Sequence, residues 1–246
     1  MPIITLANQK GGVGKTTLAF NLAHGLAREG KKTLVIDNDP QANLTHSFIV
    51  DAPQAATWTL YEGRTDNPQA VAENLFLIGA TDELEGFSDA DSGLHEFKAI
   101  LSAVAQKNIF DFIIIDNNPQ ISNLTIAAIM AADYILIPLI PSKYSFQGIN
   151  KLFTQIKHLK EQGLSQAEPI GFVENLKSNT ILHRQNSNAL RKNYPQLHFE
   201  AKISRRTSLE ESPIHRQSIF DYEPEGKAAF EFSQLVKEIL SKTDGR

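Results

Sequence analysis

Short runs of consecutive apolar residues alternate along the chain with longer stretches in which apolar residues recur every three to four positions. Ile3–Ala7 (IITLA), Lys32–Asp37 (KTLVID), Asp111–Asp116 (DFIIID) and Asp133–Leu139 (DYILIPL) are of the first kind. Apolar runs without polar alternation suit strands covered on both faces. LFLIG at residues 75–79 and Glu168–Asn175 (EPIGFVEN) read as further strands. The helical period begins after the first strand, where Leu18, Leu22, Ala23 and Leu26 share a face and Gly30 supplies a stop. It returns near His95–Gln106, from about Ser145 to Gln162, at Leu182–Lys192 and near Lys227–Leu240. Between Asn38 and Ala105 the signals are weak and rich in turn residues. This alternation predicts an α/β fold: a doubly wound, mainly parallel sheet with helices on both faces and ligands at the carboxyl ends of its strands. No internal repeat or linker interrupts the pattern, so one domain over residues 1–246 is expected.

Composition removes several chemistries. The 246 residues are 41% hydrophobic and 21% charged, ordinary for a globular chain with a full core. Cysteine is absent, which excludes disulfides, thiolate metal sites and iron–sulfur clusters and suits a reducing cytosol. The seven histidines lack paired ligand spacing, so no structural zinc is expected. The chain runs directly into an apolar strand without a basic leader, and no apolar run approaches bilayer length. A net charge of −4 argues against a uniformly basic surface and leaves room for a local basic patch.

The candidate chemistry starts at LANQKGGVGKTT, Leu6 to Thr17. Gln9 occupies the first glycine position of the ordinary phosphate-loop pattern. The mechanism survives that change. Gly11, Gly12, Val13 and Gly14 can turn backbone amides onto phosphate oxygens, with the amino terminus of the following helix behind them. Lys15 is placed for the β- and γ-phosphates, the Thr16 hydroxyl for Mg²⁺, and Thr17 completes the loop. Lys10 has no evident work within its own chain.

Three carboxylates fall at strand ends. Asp116 closes one apolar strand, where it can hold Mg²⁺ directly or through water. Asp37 and Asp39 close another, in VIDNDPQANLT. Pro40 stiffens the turn after Asp39. Asp39 is the choice for orienting an attacking water and for holding Mg²⁺, directly or through water, with Asp37 as the alternative.

KGGVGKTT together with DNDPQANLT resembles the ParA/MinD family of deviant Walker ATPases, a branch of the P-loop NTPases, and the ParA branch in particular. TWTLYEG, NLFLIGATDELEGF, FDFIIIDNNPQ, ADYILIPLIPSKYSFQGI and SIFDYEPEGKAAFEF look like ParA landmarks in the expected order, so the resemblance runs nearly end to end. It implies ATP and Mg²⁺ as cofactors, and slow, partner-stimulated hydrolysis. It implies a homodimer when ATP is bound, in which Lys10 crosses to the partner's phosphates and neutralises charge as the terminal bond breaks. It further implies a cytoplasmic, nucleoid-associated protein that binds non-specific DNA and works with a ParB-like or other adaptor to segregate or position a cargo. By likeness to the MinD side, Asn175 is a candidate for the adenine base.

Three departures qualify the likeness. Asn117, Asn118, Pro119 and Gln120 follow Asp116 where the family usually shows a Pro-Pro pair. Ile140, Pro141 and Ser142 stand where Gln and Glu are frequent. The family segment PRN-x-RLSEAP appears as SRRTSLEESP, with Ser208 replacing its second arginine and Arg206 added. Residues 180–216 nevertheless carry seven Lys or Arg against three Glu. Arg205, Arg206, Arg184, Arg191 and Lys192 are therefore the expected DNA contacts.

Rival readings remain. A MinD-like membrane ATPase would need a basic amphipathic tail, where this sequence reads SKTDGR, so no membrane partner is expected. A synthetase on the same scaffold has no need for Lys10, and a nitrogenase-type reductase needs cysteines. The departure at residues 117–120 leaves open an ATP-binding switch with little turnover. With the loop starting within ten residues of Met1, no amino-terminal helix-turn-helix is expected.

Overall fold

The computed structural model describes residues 1–90, 92–142, 145–177 and 180–244. Its centre is one eight-stranded sheet in the order β3-β4-β2-β5-β1-β6-β7-β8. The strands are β1 Ile3–Leu6, β2 Thr33–Asn38, β3 Gln69–Ala72, β4 Leu75–Ile78, β5 Phe112–Asn117, β6 Tyr134–Leu139, β7 Glu168–Lys177 and β8 His198–Ser204. Only the β3–β4 pair is antiparallel; the others run parallel, as the alternation predicts.

The apolar runs are explained by burial on both faces. Leu34, Ile36, Ile113 and Ile115 point to one core layer, whereas Val35 and Ile114 point to the other. The first layer is closed by α4 (Leu94–Gln106), α5 (Asn123–Ala131) and α6 (Ser145–Glu161). The second is closed by α1 (Lys15–Arg28), α9 (Ile219–Tyr222) and α10 (Lys227–Thr243). Two short helices, α2 (Asn43–Phe48) and α3 (Trp58–Tyr61), fill the segment where sequence signals are weak. α7 (Ile181–Asn193) and α8 (Ser208–Ile214) complete the chain. Lys143 and Tyr144, within the segment ADYILIPLIPSKYSFQGI, lie outside the described residues.

α5 and β8 escape sequence reading for physical reasons. α5 (NLTIAAIMA) is apolar all round and carries no amphipathic period, because it is sunk into the core. β8 (HFEAKIS) is an edge strand whose alternation is broken by charged residues. Its free edge is covered by carboxylates from α10. The Glu238 carboxylate accepts from Glu200 N and Ala201 N at 3.0 and 3.1 Å, and that of Glu231 accepts from Ser204 N at 2.9 Å.

α1 and α10 approach closely at Gly25, where an added Cβ would lie 2.5 Å from Val236 Cγ2 and 3.2 Å from the Phe220 ring. Alanine in a helix interior gains about 1 kcal/mol over glycine. Overpacking costs about 1–3 kcal/mol, so the clash should win. Gly25→Ala is expected to lower stability by about 1 kcal/mol, read as a fall in the urea midpoint. A raised midpoint would mean that the two helices part without penalty.

Candidate functional site

β1 lies between β5 and β6, and the chain leaves it toward β2 on one side and returns at β6 on the other. A crevice opens at such a point beyond the carboxyl ends of the strands. Residues 7–14 fill it. Gly12 and Gly14 hold φ of +70° and +76°, and Gly14 caps α1 in the left-handed conformation that glycine tolerates. Asn8 anchors the loop: its side-chain amide donates to Pro138 O at 2.7 Å, and its Oδ1 accepts from Lys10 N at 2.9 Å.

The two lysines have opposite environments. Lys15 is 7% exposed, and its Nζ lies 3.5 Å from Asn8 O. Burial lowers its pKa, and the nearby Asp116 and Asp39 carboxylates oppose that shift. Lys10, Gly11 and Gly12 are exposed at the lip of the loop. Among the described residues Lys10 forms no ion pair.

The carboxylates also divide. Asp37 and Asp116 are register partners on neighbouring strands, and both are fully buried. Asp37 is saturated: it accepts from Thr45 N at 2.8 Å, Thr45 Oγ1 at 2.7 Å and Asp39 N at 3.2 Å. Burial raises its pKa to about 6 against those bonds. It is a strand-end anchor for α2, with both oxygens engaged by protein donors. Asp116 lacks a hydrogen bond of ordinary length on either oxygen. Burial and the Asp37 charge raise its pKa to about 8, while the adjacent Thr16 hydroxyl and Lys15 pull it down. A buried carboxylate with bare oxygens beside a threonine hydroxyl fits a hard cation such as Mg²⁺. Asp39 is 7% exposed, and its Oδ1 accepts from Gln41 N at 3.0 Å. It lines a cavity of about 340 Å³ with Asn118, Pro119 and Gln120, so the loops after β2 and β5 face one space.

The departure at Asn117 has a structural cause. Its amide donates to Thr5 Oγ1 at 2.7 Å and Leu6 O at 2.9 Å, and its Oδ1 accepts from Asn38 Nδ2 at 2.9 Å. The tripeptide Ile-Asp-Asn stands in register on β2 and β5, and its asparagines tie β2, β5 and β1 together beneath the site. Sequence reasoning missed Asn38, Asn8 and Thr45, although the repeated tripeptide was a visible signal.

Asn175 reaches the loop with its amide engaged by backbone, on Val13 O at 2.8 Å and Gly14 O at 3.3 Å. The basic residues do not form one free patch. Arg206, expected to supply a DNA contact, is half-buried in a bidentate ion pair with Glu231 at 2.9 and 3.2 Å. Arg191 pairs with Glu200 at 2.9 Å, and Arg205 stands 3.6 Å from Glu210. Arg184 and Lys192 are exposed on α7 and form no ion pair among the described residues.

A family described as AAA domain matches residues 1–168. The chromosome-partitioning ATPase Soj of Treponema pallidum is 32% identical over 99% of this chain and 98% of its own. The sporulation initiation inhibitor protein Soj of Bacillus subtilis is 31% identical over 97% and 98%. Apo McdA of Cyanothece superposes with a TM-score of 0.83 at 27% identity, over 98% of this chain and 99% of that one. The chain belongs to the ParA/MinD family of ATPases. Its fold is the P-loop NTPase fold of that family, and among its structural neighbours a plasmid partition protein of Borrelia burgdorferi holds AMPPNP and the MinD of Pyrococcus horikoshii holds Mg-ADP.

The titration of Asp116 gives a measurable signature. A carboxyl whose folded-state pKa lies above its unfolded value of 3.8 stabilises the fold while protonated, and that contribution is lost as pH rises through about 8. Asp37 acts below about 6, and His24, whose pKa burial lowers to about 4, acts below 6.5. Of these three groups only Asp116 titrates between 6.5 and 8.5. Without magnesium, stability should fall by about 2 kcal/mol across it, and Asp116→Asn should remove the slope. Denaturant melts at the two pH values decide; equal slopes for both proteins would deny Asp116 its raised pKa.

Proposed function

We propose that the chain is an ATP-dependent dimerising ATPase that binds non-specific DNA and segregates or positions a cargo. An adaptor of the ParB kind stimulates it. The observation that carries this reading is the division of labour between the lysines. Lys15 already serves the inside of the loop, and Lys10 stands exposed at its lip with no acidic partner. A free cation there suits the phosphates of a second copy. Two facing loops repel until phosphates lie between them, so association depends on nucleotide.

Within one site, Lys15 would hold the β- and γ-phosphates, and Thr16 and Asp116 would hold Mg²⁺. When bound, the metal supplies charge neutralisation across those phosphates. Asp39, close to Lys15 and facing the shared cavity, would orient water. Asp37 is already saturated, which favours Asp39 over it. Lys10 adds a second cation of the arginine-finger type.

Three substitutions separate these roles. Lys15→Ala should abolish ATP binding. Lys10→Ala should keep ATP binding by the monomer and lose both the dimer and hydrolysis, where a trans cation is worth about 10³–10⁵ in rate. Asp39→Ala should keep the ATP-bound dimer and slow hydrolysis by about 10²–10⁴. Sedimentation with ATP and Mg²⁺, beside phosphate release, reads all three. A Lys10→Ala protein that dimerises and turns over normally sinks the trans role.

For DNA, the free cations Arg184 and Lys192 take precedence over Arg206. Each phosphate contact contributes about 0.9 to the slope of log affinity against log salt. Replacing either residue in both subunits should flatten that slope by about 1.8, equally for unrelated duplexes. Arg206→Ala should leave the slope unchanged and lower stability by about 1–2 kcal/mol, because Glu231 loses its partner while only 21% exposed. Absence of duplex binding by the unmutated ATP-bound protein at low salt would leave a switch that acts through protein partners alone.

A further inference from the structure

Asn175 on β7 is 3% exposed and touches the phosphate loop directly. Its amide nitrogen donates to Val13 O and Gly14 O, and its amide oxygen accepts from Leu176 N at 3.0 Å. An added Cβ at Gly14 would stand 2.5 Å from that nitrogen. Leu176 holds φ of +50°, a left-handed conformation that costs a residue with a Cβ about 1–2 kcal/mol. Such a conformation persists where its surroundings over-determine it. Here the bonds from Asn175 to the loop and to Leu176 N do so.

One residue earlier, the alternation of the strand turns Glu174 to the opposite face, beneath α7. Its Oε1 accepts from Ser187 Oγ of α7, from His198 Nε2 at 2.8 Å and from Lys202 Nζ at 3.0 Å. Lys202 also reaches Ser187 Oγ at 3.2 Å. Burial alone would push the Glu174 carboxyl up, and these bonds hold it down at about 2. Two consecutive residues thus bind back to back: one holds the loop around the phosphates, the other holds α7.

We propose that Asn175 is a positioning residue of the phosphate loop and that Glu174 ties the loop to α7. On this assignment Asn175 acts on the diphosphate through Val13 and Gly14, and it does not read the adenine ring. A shift of the loop is passed across one peptide unit to Ser187, so α7, which carries Arg184 and Lys192, takes its seat from the state of the nucleotide site. The inference rests on nucleotide binding at this loop and not on dimerisation or DNA binding. ADP is therefore the test ligand.

Titration calorimetry with ADP and inosine 5′-diphosphate, each with Mg²⁺, tests the first half. The two ligands share the diphosphate and differ at the amino group of the base. Asn175→Ala should weaken both by the same factor, about five-fold for one lost hydrogen bond. Asn175→Ser, too short to span both carbonyls, serves if the alanine variant does not fold. A loss confined to ADP would make Asn175 a reader of the base, and that outcome or no loss overturns the assignment. Hydrogen–deuterium exchange tests the second half. ADP should alter exchange in both α1 and α7 of the unmutated chain. Ser187→Ala should keep the response in α1 and lose it in α7. A response in α7 that survives Ser187→Ala, or is absent without it, overturns the link.

Discussion

Parallel pairing of β2 with β5 sets Asp37 opposite Asp116, and the rest of the site accommodates two buried carboxylates on neighbouring strands. Strands so paired lie about 4.8 Å apart, so neither charge escapes the other's field. The fold resolves the conflict by treating them unequally. Asp37 receives backbone and side-chain donors and becomes part of the scaffold. Asp116 receives none of ordinary length, and the nearest compensating charge is the buried ammonium of Lys15. The buried ammonium of Lys15 and the bare carboxyl of Asp116 offset part of each other's desolvation. The loop and the helix it caps are arranged around that asymmetry.

Much of this was legible in the sequence because glycine spacing and apolar runs report local physics. The loop, the strands β1, β2, β5 and β6, and the long helices all appear where periodicity places them, with ends displaced by at most about three residues. The identity of the saturated carboxylate was not legible. Asp37 and Asp39 both stand at a strand end, and only Thr45, eight residues beyond Asp37, distinguishes them. The ion pairing inside the basic segment was not legible for a related reason. A count of Lys and Arg cannot show that Glu231, far along the chain on α10, folds back onto Arg206. Ion pairs of long sequence separation are invisible to composition. Lys202, likewise counted as part of the basic segment, is drawn inward to Glu174.

The departures from the family pattern look different once the contacts are known. Asn117 joins three strands through its bonds to Thr5, Leu6 and Asn38. Tyr61 extends the same network by donating to Asn38 Oδ1 at 2.8 Å. The floor of the site is therefore tied together by amides across β1, β2 and β5.

The carboxylates of Glu231 and Glu238 that cover the β8 edge carry a consequence for crowding. An open edge strand is a template onto which another chain can add. Here the outward N–H groups of Glu200, Ala201 and Ser204 are already taken, by Glu238 and by the Glu231 carboxylate that Arg206 neutralises. A second chain would have to displace both carboxylates before it could pair along that edge.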